Sequence, residues 1–248
     1  MNTELVSIRM LCVAATHADQ NLWREGAAVA SVPVDFDVVV DAAAAAQLAR
    51  GGIDVCVVDS RLPDAERAQI IAAARAAQPA PFIIVSAPRG TGRIDGVDGM
   101  VARPSNPEAA RGLVDLCARV KIPTRVLIVD NSGTVRGIVR KMLAASRFAL
   151  DLDEANDADT ALDRLRNGNF GIVFVDDDLP GLSGIQALAE LRRTSPNVAV
   201  VMMTSAGDKS VAVRMRKAGA LACLNKPFYP ADLDAVLERY FGLHKTLA

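Results

Sequence analysis

The stretch IDVCVVDSRLP at residues 53–63 returns 117 positions later as FGIVFVDDDLP at residues 170–180. In both, an apolar run ends on Asp and Leu-Pro follows. Two more pairs keep the same order: PFIIVSA (81–87) with AVVMMTSA (199–206), and GMVARPSNPEAARGLV (99–114) with ACLNKPFYPADLDAVL (222–237). A 248-residue chain that repeats itself in this way reads as two copies of one fold, each of ordinary domain size. The copies divide at residues 120–124, where Lys-Ile-Pro-Thr separates a helical pattern from a new apolar run, so domains of 1–121 and 122–248 are expected. So short a linker implies copies that are packed together or joined by a continuous helix.

Within the second copy, apolar runs at 125–129, 172–175, 198–203 and 220–224, with a weaker one at 149–152, alternate with amphipathic stretches at 132–145, 157–167, 184–193, 209–218 and 230–240. Continuous apolar runs suit strands buried on both faces, and the alternation predicts an α/β fold, a doubly wound parallel sheet covered by helices. In such sheets the functional residues collect outside the carboxyl ends of the strands. The runs of the second copy end on Asp130-Asn131, Asp176-Asp177-Asp178, Thr204-Ser205 and Lys226-Pro227. Two acidic clusters, a hydroxyl and a lysine therefore converge on one rim. Close carboxylates gather a hard divalent cation, most naturally Mg²⁺. One carboxylate can then act as a nucleophile toward phosphorus, with the ammonium and hydroxyl contacting phosphoryl oxygens. Singly, each residue has a plain structural reading: a strand-end Asp often caps a helix, Asp177 reads as a solvated loop acid, and Lys226 as a surface lysine.

The four segments VDNS (129–132), VDDDLPGLSG (175–184), MMTSA (202–206) and NKPF (225–228) resemble, in order and spacing, the receiver domain of two-component response regulators, the CheY-like family. The resemblance implies a flavodoxin-like sheet of strand order 2-1-3-4-5 in each copy. It implies Asp176 as phosphoacceptor and Thr204 and Lys226 as its partners in catalysis. Asp130, Asn131, Asp176 and the backbone carbonyl of Asp178 would be the metal ligands, and Lys226-Pro227 would be a commonly cis bond. Two residues depart from the family pattern. Asn131 stands where a second acid is usual, so Mg²⁺ binding should be weakened. Cys223 stands at the usual aromatic switch position, so coupling of Thr204 to a rotating ring is absent or altered.

The first copy is degenerate. Its first strand ends in Ala14-Ala15-Thr16 without an acidic pair. Asp59 takes the phosphoacceptor position, Ser86 the hydroxyl position, and Arg103 replaces the lysine, so this half reads as a pseudo-receiver. Arg103 is long enough to pair with Asp59 in place of a cation. Ser86 to Arg103 is also five positions shorter than Thr204 to Lys226, and the shortened segment holds Gly90, Gly92, Gly96 and Gly99. Each glycine disfavours helix by about 1 kcal/mol, so the fourth helix is expected to be lost.

Charge and cysteine usage narrow the rest. The formal net charge is -1, with 12 Lys and Arg against 14 Asp and Glu up to Lys121, and 16 against 15 beyond it. Neither half has the basic excess that nucleic acid or an anionic membrane attracts. Cys12, Cys56, Cys117 and Cys223 form no CxxC pair and read as reduced core residues of a cytoplasmic protein. No apolar run reaches bilayer length and no secretory leader is evident. His17 and His244 look exposed and incidental, and Trp23 looks like packing.

These features predict a stand-alone phosphorelay regulator that accepts a phosphoryl group from a histidine kinase or histidine phosphotransfer protein and signals to a downstream protein by contact, with no effector segment. A phosphorylation-independent adaptor is the alternative that Asn131 keeps open. An Asp-nucleophile phosphatase of the haloacid dehalogenase type fits less well, because Leu179-Pro180 follow the DxD and the strand is the third of its copy.

Overall fold

The computed structural model describes residues 7–40, 43–179, 182–205 and 209–247. Pro180, Gly181 and Ala206 of the motifs above lie outside the described residues. The chain divides into two compact units, residues 1–121 with 241–248, and residues 122–240. The last eight residues therefore group with the first unit, where the sequence reading had assigned them to the second.

The first unit is β1 (Ile8–Val13), α1 (His17–Ala28), β2 (Val34–Val39), α2 (Ala43–Arg50), β3 (Val55–Asp59), α3 (Asp64–Ala76), β4 (Phe82–Ala87), β5 (Gly99–Ala102) and α4 (Pro107–Arg119). Its five parallel strands run in the order β2-β1-β3-β4-β5, which is 2-1-3-4-5. β3 and β4 are buried at every residue, as strands covered on both faces must be. α1 packs on α4 and α2 on α3. The α1–α4 approach depends on Gly26, where a Cβ would sit 2.7 Å from the Ala110 backbone. Trp23, 2% exposed, lies in this layer and stacks on Phe36.

No helix forms between β4 and β5, in agreement with the glycine-rich deletion. The C-terminal segment pairs there instead. The Met100 amide donates to the His244 carbonyl at 2.8 Å and the His244 amide to the Met100 carbonyl at 3.0 Å. The Leu247 amide donates to Thr91 O at 3.0 Å, and Gly90 N donates to Leu247 O. Leu243 and Leu247 are buried, and Leu247 joins the core of Leu11, Val58, Ile83 and Met100. The β5 edge, which would otherwise present unpaired amides and carbonyls, is thus closed by the chain's own end.

The second unit is β6 (Thr124–Val129), α5 (Gly133–Ala144), β7 (Leu150–Ala155), α6 (Ala158–Asn167), β8 (Ile172–Asp176), the two-residue pair β9 (Asp178–Leu179) and β10 (Leu182–Ser183), α7 (Gly184–Thr194), β11 (Ala199–Thr204), α8 (Lys209–Lys217), β12 (Ala222–Asn225) and α9 (Pro230–Phe241). Its large sheet runs β7-β6-β8-β11-β12, again 2-1-3-4-5 within the copy. Ser132 and Asp157 cap α5 and α6, their side chains accepting from the Val135 and Thr160 amides. Among the described residues no helix is long and apolar enough to cross a membrane.

Candidate functional site

The order 2-1-3-4-5 puts the switch point of each sheet at its first and third strands. In the second unit Asp130 follows β6 directly and Asp176 ends β8, so both carboxylates emerge at this point, 1% and 6% exposed. Lys226 directly follows β12, its bond to Pro227 is cis, and its side chain reaches back between the two carboxylates. Its Nζ donates to Asp130 Oδ2 at 2.7 Å and to Asp176 Oδ1 at 2.9 Å. Asp130 is oriented from behind: the Ser132 amide donates to its Oδ1, and Arg136 binds its carbonyl while pairing with Glu154.

The electrostatics are those of a crowded acidic site. For Asp176, removal from water is the largest influence and raises the pKa; the hydrogen bond and charge of Lys226 lower it, Asp130 and Asp177 raise it again, and the balance lies above the ordinary carboxylate value. For Lys226, burial acts downward, but the two carboxylates overcome it and hold the ammonium above its usual range.

Asn131 and Asp178 are exposed beside this pair. Among the described residues no group of three or more His, Cys, Asp or Glu is gathered closely enough to hold a metal on its own. The donor set still fits Mg²⁺, because its oxygens are all hard and this ion is commonly held by one or two carboxylates while keeping several waters. Thr204, 1% exposed, donates its hydroxyl to Asp177 Oδ2. Asp177 is therefore a partner of Thr204, not the free loop acid expected from sequence. Cys223 is half-buried with its Sγ 3.8 Å from Met215 Sδ.

The first unit builds a different site at the same place. Asp59 ends β3 and is 3% exposed. Arg103 Nη2 donates to Asp59 Oδ1 at 3.0 Å, as its length suggested, and to Ser60 Oγ at 3.3 Å. Arg61, missed in the sequence, contributes more. Its backbone amide and Nε donate to Asp59 Oδ1 at 2.9 and 3.3 Å, and its Nη2 to Asp59 Oδ2 at 2.8 Å. The same Nη2 binds Asp19 Oδ2. Asp19, in the first turn of α1, supplies an acid that the strand end lacks. The only available signal was position: Arg61 lies two residues past the strand-end Asp, where the second copy has Asp178. Burial acts upward on Asp59, but the side-chain and backbone hydrogen bonds of Arg61 and the charge of Arg103 bring its pKa below the ordinary value.

The assignment of Ser86 to the hydroxyl position needs correction. Asp59 pairs with Ser86 in register, as Asp176 pairs with Met203. Lys226 N donates to Thr204 O, and Arg103 N donates to Ala87 O. Ala87, not Ser86, therefore matches Thr204, and a shift of one residue turns the side chain to the other face. Ser86 Oγ is buried without a hydrogen-bond partner. Burial also pushes the Cys56 and Cys117 thiols up to about 12, so neither is a nucleophile.

Comparison with known proteins points to one family. The response regulator receiver domain matches residues 126–238. Chemotaxis protein CheY-3 of Vibrio cholerae is 33% identical over 119 residues, covering 47% of this chain and 91% of that protein. Chemotaxis protein CheY of Pseudomonas aeruginosa is 31% identical over 119 residues, covering 47% and 95%. A solved structure described as a probable two-component system response regulator/GGDEF domain protein covers 95% of this chain and 98% of its own, with a TM-score of 0.55 at 23% identity, a likeness of fold.

Proposed function

The chain belongs to the response regulator receiver family, and we propose that it is a tandem-receiver regulator of a two-component phosphorelay, phosphorylated on Asp176 in the second unit, with the first unit a pseudo-receiver. The observation that carries this reading is the single ammonium of Lys226 held between the buried carboxylates of Asp130 and Asp176. The donor is a histidine kinase or phosphotransfer protein. An Asp176 oxygen attacks the phosphorus of a phosphohistidine, the new O–P bond forms as the N–P bond breaks, and the imidazole leaves with the electron pair. Mg²⁺, held by Asp130, Asp176, Asn131 and the Asp178 carbonyl, would offset charge on the transferring group. Lys226 pairs with a phosphoryl oxygen, and Thr204 leaves Asp177 to meet another. A groove lined by Val135, Ile138, Met142 and Phe228 borders Lys226 and offers the donor an apolar surface.

Output is by contact with a downstream protein in the cytoplasm, without nucleic acid or membrane. Labelling of the full chain with acetyl phosphate and Mg²⁺ tests the reading. One phosphoryl group per chain is expected, lost in Asp176→Asn and kept in Asp59→Asn. No labelling of the unaltered chain would favour a phosphorylation-independent adaptor, and labelling of Asp59 would overturn the division of roles.

A further inference from the structure

The first unit already holds a cation at its strand-end carboxylate. We propose that Arg61 is the resident cation of this site, a guanidinium fixed where a divalent ion would have to bind, which keeps both metal and phosphoryl groups away from Asp59. The inference stands on the first unit alone and does not depend on phosphorylation of Asp176.

Three observations support it. First, one nitrogen, Arg61 Nη2, bonds both Asp19 and Asp59, so these carboxylates flank a single position of positive charge. Lys226 stands in the same relation to Asp130 and Asp176, but it reaches its pair from β12, whereas Arg61 comes from the loop directly after β3. Second, the oxygens of Asp59 are occupied. Oδ1 accepts from the Arg61 amide, Arg61 Nε and Arg103 Nη2, and Oδ2 accepts from Arg61 Nη2. A metal bridging the two acids, or a phosphoryl group approaching from their side, would need the position between Asp19 Oδ2 and Asp59 Oδ2, and Arg61 Nη2 fills it, while Oδ1 already accepts three donors. Third, the charge is balanced. Asp19 and Asp59 oppose Arg61 and Arg103, whereas Asp130 and Asp176 share one lysine. A divalent ion would gain at the second site from residual negative charge, and at the first it would have to displace a forked ion pair.

The position of Arg61 is what makes this specific. It stands two residues past the strand-end Asp in one copy, and Asp178 stands there in the other. One place in the repeated fold thus carries opposite charge in its two occurrences. An external cation is replaced by an internal one that needs no supply and cannot dissociate.

The test uses the full chain with Asp130→Asn and Asp176→Asn, which silence the second site. Free Mn²⁺ is followed by electron paramagnetic resonance, and folding by circular dichroism. The parent is expected to take up no ion at this site. Arg61→Ala leaves two carboxylates around a vacated position and should bind Mn²⁺ at least about tenfold more tightly than the parent, since ligand charge sets hard-cation affinity. Arg61→Lys retains the charge and should stay closed. If Arg61→Ala does not fold, Arg61→Gln removes the charge while keeping a hydrogen-bonding side chain and replaces it. A folded neutral variant that gains no affinity, or a parent that binds as tightly as the variant, would overturn the proposal. So would an anomalous manganese peak beside Asp59 in crystals of the unaltered chain.

Discussion

The Lys226 ammonium lies 2.9 Å from Asp176 Oδ1 and still does not bring that carboxyl down to an ordinary pKa, because burial removes it from water and Asp130 and Asp177 crowd the same rim. Asp59, at the corresponding strand end, faces two guanidiniums and lies below its ordinary value. The two equivalent carboxyls thus affect stability with opposite sign.

A carboxyl raised in the folded chain holds its proton more tightly there than in the unfolded chain. Its contribution is greatest below the unfolded pKa and declines as pH rises toward the folded value. A lowered carboxyl contributes fully above the unfolded pKa and loses that contribution as pH falls through the folded one. At pH 7, Asp176→Asn should therefore raise the melting temperature, and Asp59→Asn should lower stability by about 2–3 kcal/mol, the scale of lost charge-assisted hydrogen bonds. Both differences should shrink near pH 3. Thermal melts of the two variants at the two pH values decide, and shifts of the same sign at pH 7 would contradict the contrast.

Arg103→Ala should be milder than the removal of a sole partner. Arg103 is a partly buried side chain, but Asp59 keeps the fork of Arg61. A cost of about 1–2 kcal/mol is expected, short of the roughly 3–5 kcal/mol that follows when a buried charge is orphaned. Loss of both arginines should cost more than the sum of the single losses, which urea unfolding of the two single variants and the double variant would measure.

Asn131→Asp adds a carboxylate beside Asp130 and should raise Mg²⁺ affinity by roughly an order of magnitude, since ligand charge tunes binding of hard cations. Calorimetric titration reads this directly. Equal or weaker binding would place residue 131 outside the metal site.

Leu247→Ala should destabilise the first unit by about 2–3 kcal/mol, as a buried leucine in a core does when truncated. The Met100 amide, which donates to His244 O, should exchange its hydrogen faster. Unchanged protection at Met100 would mean that the terminal segment does not hold this edge.

Much of the molecule follows from the sequence by itself. The apolar runs and amphipathic stretches of the second copy coincide with its strands and helices, because strand burial and helix amphipathicity are periodic and local. Strand-end positions were readable for the same reason, and in a doubly wound sheet those ends meet at the switch point, so Asp130, Asp176, Thr204 and Lys226 could be assembled without coordinates. The tertiary structure decided what depends on loop path and register. Arg61 turns back onto Asp59 and draws in Asp19 from α1; Asp177 takes the Thr204 hydroxyl; Ala87 displaces Ser86 from the matching register; and residues 243–247 return to the β5 edge. None of these contacts has a period. They depend on where a guanidinium or a chain end finds an unpaired partner, and a one-residue shift or a long loop leaves no local trace of that.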